Sequence, residues 1–124
     1  MYQEALQDVE KGLALSHRDP HFLSIAANIH GRMGQMEQAG KLLGEIRVAG
    51  RVRYVSPFFF ATAFAGMGKK KKAIDALEEG YKGQDAYMVG LNYIPWFDSF
   101  RSDPRYLELI NKMHFPPITR PEQE

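Results

Sequence analysis

DPHFLSIAANIHGRMGQMEQAGKLLGEIRVAG, residues 19–50, is the stretch from which the fold is read. Asp19-Pro20 has the form of a helix start. A carboxylate accepts hydrogen bonds from the free N–H groups of a first turn, and proline suits the first helical position. Leu23, Ala26, Ala27, His30 and Met33 then recur at helical spacing on one face. Gly34 ends that run, because glycine takes a left-handed backbone without steric cost. Met36, Ala39, Leu42, Leu43 and Ile46 resume the spacing as far as residue 49. The intervening turn is short, so the two predicted helices fold back on each other as an antiparallel hairpin.

The same pattern returns 34 residues later. Gly34 is matched by Gly68, and Ala27 by Ala61. Ala5, Ala39 and Ala73 keep the step, as do Val9, Leu43 and Leu77; Gly12 and Gly80 lie two steps apart. Small residues at fixed points let neighbouring helices approach closely. On these residues the chain resembles the tetratricopeptide repeat family, whose period is the same. The resemblance is good over roughly residues 1–85 and looser over 86–115. It implies an all-α fold, a superhelix of antiparallel helical hairpins with about seven helices. It also implies a module that binds protein partners. The chain departs from the family pattern at three points. His30 stands where a large aromatic is common, although Phe64 fits. Ile46 replaces a small residue, and Pro57 replaces an apolar one.

The register divides the chain. Residues 1–18 form the second helix of a truncated repeat, with Ala5, Leu6, Val9 and Leu13 on one face of a helix over 2–16. Residues 19–53 and 54–85 are full repeats. Residues 86–115 are a degenerate repeat with a C-terminal capping helix, and 116–124 a flexible polar tail. The half repeat suggests a fragment of a longer protein, or else a native end. Its uncovered apolar flank invites a homodimer through residues 2–16.

Within the second full repeat, Ser56-Pro57 restarts a helix by the same cap-and-proline logic. Phe58, Phe59, Phe60 and Phe64 spread aromatic rings over several of its faces, as expected of a centrally buried helix. Ala73, Ile74, Leu77 and Tyr81 mark the face of the next helix. Asp85 is placed to cap a short helix from Ala86 to Tyr93, which Pro95 breaks. Asp103-Pro104 starts the last one, with Tyr106, Leu107, Ile110 and Met113 facing inward. Ile94-Pro-Trp-Phe-Asp-Ser-Phe-Arg-Ser-Asp-Pro-Arg-Tyr and Met113-His-Phe-Pro resemble the closing segment of tetratricopeptide regions in bacterial regulatory proteins. Such regions often follow a winged-helix DNA-binding domain or a serine/threonine kinase domain. By that resemblance the parent would be a multidomain signalling or transcription regulator. Phe97 and Phe100 would plug the last hairpin, and Arg101 or Arg105 would pair with Asp98 or Asp103.

Composition narrows the function classes. In 124 residues, hydrophobic side chains make up 44% and charged ones 25%, an ordinary globular balance, and the net charge of +1 creates no field that draws the chain to nucleic acid or membrane. There is no cysteine, so disulfides and thiolate metal sites are excluded; a reducing, cytoplasmic setting is compatible. No apolar run approaches a membrane span, and no signal-peptide pattern opens the chain.

Catalytic patterns are weak. Lys69–Lys72 could contact phosphate or nucleic acid, but Asp75, Glu78 and Glu79 follow at once, and a solvated helix start explains it better. Gly66-Met-Gly-Lys lacks the first glycine of a phosphate loop, and Lys70 stands where Ser or Thr should hold magnesium. His17 and His21 are separated by the Asp19-Pro20 break, and His30 and His114 add no zinc spacing. The serines fall at caps and turns, and none lies in a nucleophile-elbow motif. No catalytic, metal or cofactor site is expected, and the chain reads as a non-enzyme. By the family's helix pattern, His21, Ser24, Asn28, Arg32, Val55, Phe58 and Thr62 would line a concave partner-binding face. Asn28 suits a clamp for a peptide carboxylate, but Ser24 stands where the clamp needs lysine. Phe58 is equally readable as core. The alternative function is a dimerising, structural region of a transcriptional regulator or kinase, with no peptide ligand of its own.

Overall fold

The computed structural model describes residues 2–92 and 95–113. It is all-α. Helix α1 spans Tyr2–Leu15, α2 Pro20–Arg32, α3 Met36–Gly50, α4 Pro57–Gly66, α5 Lys70–Lys82 and α6 Pro104–Met113. Two 3-10 stretches, Ala86–Asn92 and Pro95–Phe100, lie between α5 and α6. The described residues therefore hold six α-helices where about seven were expected. The element expected from Ala86 winds as a 3-10 helix, in a stretch where Gly90 weakens helix propensity and Pro95 withholds a donor.

The helix starts are set as the cap-and-proline pairs require. Asp19 accepts from the His21 N–H at 2.9 Å, Ser56 from that of Phe58 at 3.1 Å, and Asp103 from that of Arg105 at 2.9 Å. Each such cap contributes about 1 kcal/mol. Gly34 and Gly68 close α2 and α4 with φ of 79° and 75°. Helix α5 closes with a different residue: Gly83 sits at φ −83°, and the left-handed position falls to Gln84 at φ 53°.

Consecutive helices pair as α2 with α3 and α4 with α5, and α2 lies alongside α4. Ala27, Ala39, Ala61 and Ala73 are all fully buried, as helix-contact positions should be. The closest approach is made elsewhere. A Cβ on Gly66 would lie 2.3 Å from the Asn28 carbonyl oxygen, and one on Gly31 would lie 2.6 Å from that of Gly66. Backbone thus rests on backbone where α2 passes α4. Beside that point the buried Asn28 Nδ2 donates to the Thr62 carbonyl at 2.8 Å.

The same geometry explains Ile46. Gly12 of α1 leaves room for the Phe22 ring, which would be 2.4 Å from a Cβ there; Gly80 of α5 does the same for Met88 Sδ, at 2.8 Å. Ile46 holds the intervening register position. One period after Phe22 stands Ser56, so the space that Phe22 takes beside Gly12 is left to a larger residue, and Ile46 is fully buried.

Two apolar clusters result. Val9, Leu13, Leu23, Ala26, Ile29 and Ile46 form one. The other runs from Ala27 and Leu43 through α4 and α5 to Tyr106 and Leu109. Leu42 and Phe60 pack against both. Phe97 and Phe100 are buried as expected; Phe97 meets Phe58 edge-on at 5.6 Å, and Phe100 meets Tyr106 at 6.0 Å. The Tyr106 hydroxyl has no hydrogen-bond partner among the described residues, and burial pushes its ionisation upward.

The charges around α6 sort differently from expectation in part. Arg101 does pair with Asp98, at 3.2 Å. Arg105 instead reaches back to α5 and joins Asp75 and Glu78, each at 2.6 Å. Asp103 pairs with Lys70, at 3.2 Å. Burial raises the Asp103 carboxyl, but Lys70 and the N–H groups of Arg105 and Tyr106 outweigh it and hold it below the usual range.

Candidate interaction surface

The seven residues expected to line a concave face do not form one open groove. Ser24, Asn28, Phe58 and Thr62 are buried inside the chain. Ser24 Oγ donates to the His21 carbonyl at 2.7 Å, and Thr62 Oγ1 to that of Phe58 at 3.0 Å, which satisfies both hydroxyls locally. Asn28 is committed on both sides, since its Oδ1 accepts from Arg32 Nε at 2.9 Å. What fills the space is the chain's own 3-10 segment. Arg32 donates to the Trp96 carbonyl at 3.1 Å, and Phe97 covers Phe58.

His21 and Arg32 remain exposed. The His21 ring stacks on Phe59 at 5.3 Å and lies 5.9 Å from Tyr87, which also meets Phe59 edge-on at 4.7 Å. Val55 is half-buried and faces a different cleft, described below. Asp85 fastens this side. It accepts from Ser56 Oγ and the Tyr87 N–H, both at 2.9 Å, and from the Tyr54 hydroxyl. The bond to Asp85, helped by burial and by the carboxylate charge, pushes the Tyr54 ionisation up to about 12.

Two open concavities lie between the outer helices. One, of about 590 Å³, runs between α1 and α3 and is lined by Leu6, Leu13, Ala26, His30 and Leu42 among others. A second, of about 470 Å³, runs between α3 and α5 over Phe60 and Phe64, with Val55 and Pro57 at one end. They occupy equivalent places one period apart: Ala26 corresponds to Phe60, His30 to Phe64 and Leu42 to Ala76. The first has its rim cation neutralised, because Arg18 holds Glu45 across it at 2.6 Å. The second carries Arg47 and Lys72, neither paired with a carboxylate among the described residues, and Lys72 Nζ lies 5.8 Å above the Phe64 ring.

Of the residues in the second cleft, the sequence does not single out Arg47, while it places Phe60 in a centrally buried aromatic helix and Lys72 in a solvated helix start. Setting Ala26 and His30 beside Phe60 and Phe64 one period on was the signal that could have marked them. Among the described residues no group of three or more His, Cys, Asp or Glu is placed to hold a metal, and no helix is long and apolar enough to cross a membrane. The arrangement supplies apolar floors and charged rims of a size suited to a side-chain cluster or short helix. No protein-family model, curated protein or solved structure matches this chain.

Proposed function

We propose that the chain is a non-catalytic protein-interaction module of the tetratricopeptide type, a scaffold that docks a protein or peptide partner. The resemblance of its closing segment supports a place in a cytoplasmic, multidomain bacterial regulator. The observation that carries the reading is the side-by-side stacking of two hairpins, which leaves open clefts over apolar floors between α1 and α3 and between α3 and α5. Partner contact falls on these clefts, with His21 and Arg32 the accessible remainder of the inner face.

One observation favours a second reading, a dimerising region without a peptide ligand. Ala5 is half-buried, whereas its register mates Ala39 and Ala73 are fully buried. A second copy laid along α1 would seal that position. Selection of peptides on the folded 124-residue chain, followed by amide-shift mapping, tests the first reading. Light scattering across concentration tests the second. Recovery of no peptide, together with a concentration-independent dimer that Ala5→Glu dissociates, overturns the first in favour of the second.

A further inference from the structure

We infer that the cleft between α3 and α5 is the docking site for an acidic amphipathic segment of a partner protein, a short helix with apolar anchors and flanking carboxylates. This rests on the interaction-module reading and names the site and the ligand chemistry. From residue 46 to residue 74 the chain contains no Asp or Glu, yet it holds Arg47, Arg51, Arg53 and the Lys69–Lys72 run. In a chain of net charge +1 this is a segregation of charge, not an excess. The segment folds as the end of α3, all of α4 and the start of α5. Two of its cations, Arg47 on α3 and Lys72 on α5, line the cleft that α4 floors. Lys70 is tied to Asp103, but the others have no carboxylate partner among the described residues. A partner's carboxylates would pair with Arg47 and Lys72, which the chain's own described carboxylates leave unpaired, and charge complementarity of this kind sets specificity and association rate.

The equivalent cleft one period earlier sharpens the assignment. There the floor is Ala26 and His30, the walls are Leu13 and Leu42, and the charges are Glu10 and the Arg18–Glu45 pair, with no unpaired cation at the rim among the described residues. Here the floor is two phenylalanines, Arg47 replaces Leu13 in register, and Ala76 replaces Leu42. The second cleft is smaller, about 470 Å³ against about 590 Å³, and aromatic, and it carries Arg47 and Lys72, cations unpaired among the described residues. An apolar anchor over Phe60 and Phe64 with a carboxylate at Arg47 and another at Lys72 satisfies it, as an amphipathic helix laid into a groove does. Asp75 and Glu79 on the α5 wall face the same space. They would repel a continuous run of phosphates, so a peptide of mixed but mainly acidic charge fits better than nucleic acid or an anionic membrane.

The test uses the full chain, labelled for amide spectra, and a probe peptide of about 14 residues with Glu and Leu at helical spacing. Matched probes replace Glu by Lys or by Gln. The acidic probe is expected to bind tightest, to shift amides of α3, α4 and α5 around the cleft, and to weaken as salt rises from about 50 to 300 mM. Arg47→Glu with Lys72→Glu, both at exposed positions, should weaken it roughly tenfold or more. Lys11→Glu with Lys41→Glu changes the net charge equally and should leave it unchanged. Equal loss in both double variants, or shifts mapping to the α1–α3 cleft, overturns the cleft assignment while leaving the interaction-module reading standing. Preference for the Lys or Gln probe overturns the acidic ligand in the same way. Displacement of the acidic probe by a DNA duplex or an anionic vesicle reassigns the site to a polyanion. Failure of every peptide to bind removes both this inference and the reading beneath it.

Discussion

Gln84 holds a backbone conformation that α2 and α4 give to glycine. Its φ of 53° stands where Gly34 and Gly68 have 79° and 75°, while Gly83 beside it sits at φ −83° and makes no use of its freedom. A side chain in this region crowds its own carbonyl at a cost of about 1 kcal/mol. Gln84→Gly should therefore raise the unfolding free energy by about 0.5 kcal/mol, the strain relieved being partly offset by a more flexible unfolded chain; chemical denaturation at matched slope reads this directly. Gly34 and Gly68 were legible as turn residues because glycine announces such a position. Gln84 was not, since nothing in a glutamine marks a positive φ. Asp103 makes a second residue-scale test. Its folded carboxyl ionises below the ordinary value, so it adds stability at pH above about 4, where the unfolded group is also ionised. That stability drains away as pH falls through the folded value. Asp103→Asn keeps a capping oxygen but loses the charge that meets Lys70. It should unfold at lower urea than the parent at pH 6, and the gap should close towards pH 2. A constant gap across that range would show that Lys70 and the first-turn N–H groups do not hold the carboxylate.

At the scale of elements, the register of small residues locates the helix contacts but misplaces the tightest one. Ala27 and Ala61 are buried as their 34-residue spacing implies, yet α2 and α4 touch backbone to backbone at Gly31 and Gly66. Those two glycines are one residue out of step, so a search for the period passes over them. Gly66→Ala should cost about 3 kcal/mol, because its methyl meets the Asn28 backbone, which cannot swing aside as a side chain would. Gly40→Ala, on the exposed side of α3 with nothing within 4 Å of the new carbon, should add about 0.5–1 kcal/mol. Thermal melting of the pair checks both signs, and equal effects would place the α2–α4 contact elsewhere. The 3-10 stretches were legible only as a break at Pro95. Apolar periodicity does not separate a loosely wound segment from a short α-helix, and the burial of Phe97 against Phe58 depends on a neighbour 39 residues away. For that reason the inner face was read as open, with Phe58 in doubt, when the chain's own C-terminal segment covers it.

Over the whole molecule, stability is distributed by position along the stack. Helices α2 and α4 each have neighbours on two sides, α3 and α1 for the first and α5 and the 3-10 segment for the second, and they touch each other. Helix α1 rests mainly on α2, and α6 mainly on α5. Leu42 and Phe60 pack against both apolar clusters. In such a nearly one-dimensional array the middle opens only with the whole, while the ends open by themselves. Native-state hydrogen exchange should therefore rank α2 and α4 slowest, at the global unfolding free energy, with α1 exchanging through a smaller opening. Arg18 holding Glu45 ties the turn between α1 and α2 to α3, but an exposed pair of this kind is worth no more than about 1 kcal/mol and does not change the ranking. Raising protein concentration supplies the discriminating condition. If α1 protection climbs towards that of α4 as concentration rises, a second copy is covering Ala5 and the dimerising reading gains. If α1 stays the weak end at every concentration, the stack is complete as a monomer and its open clefts are free for a different partner.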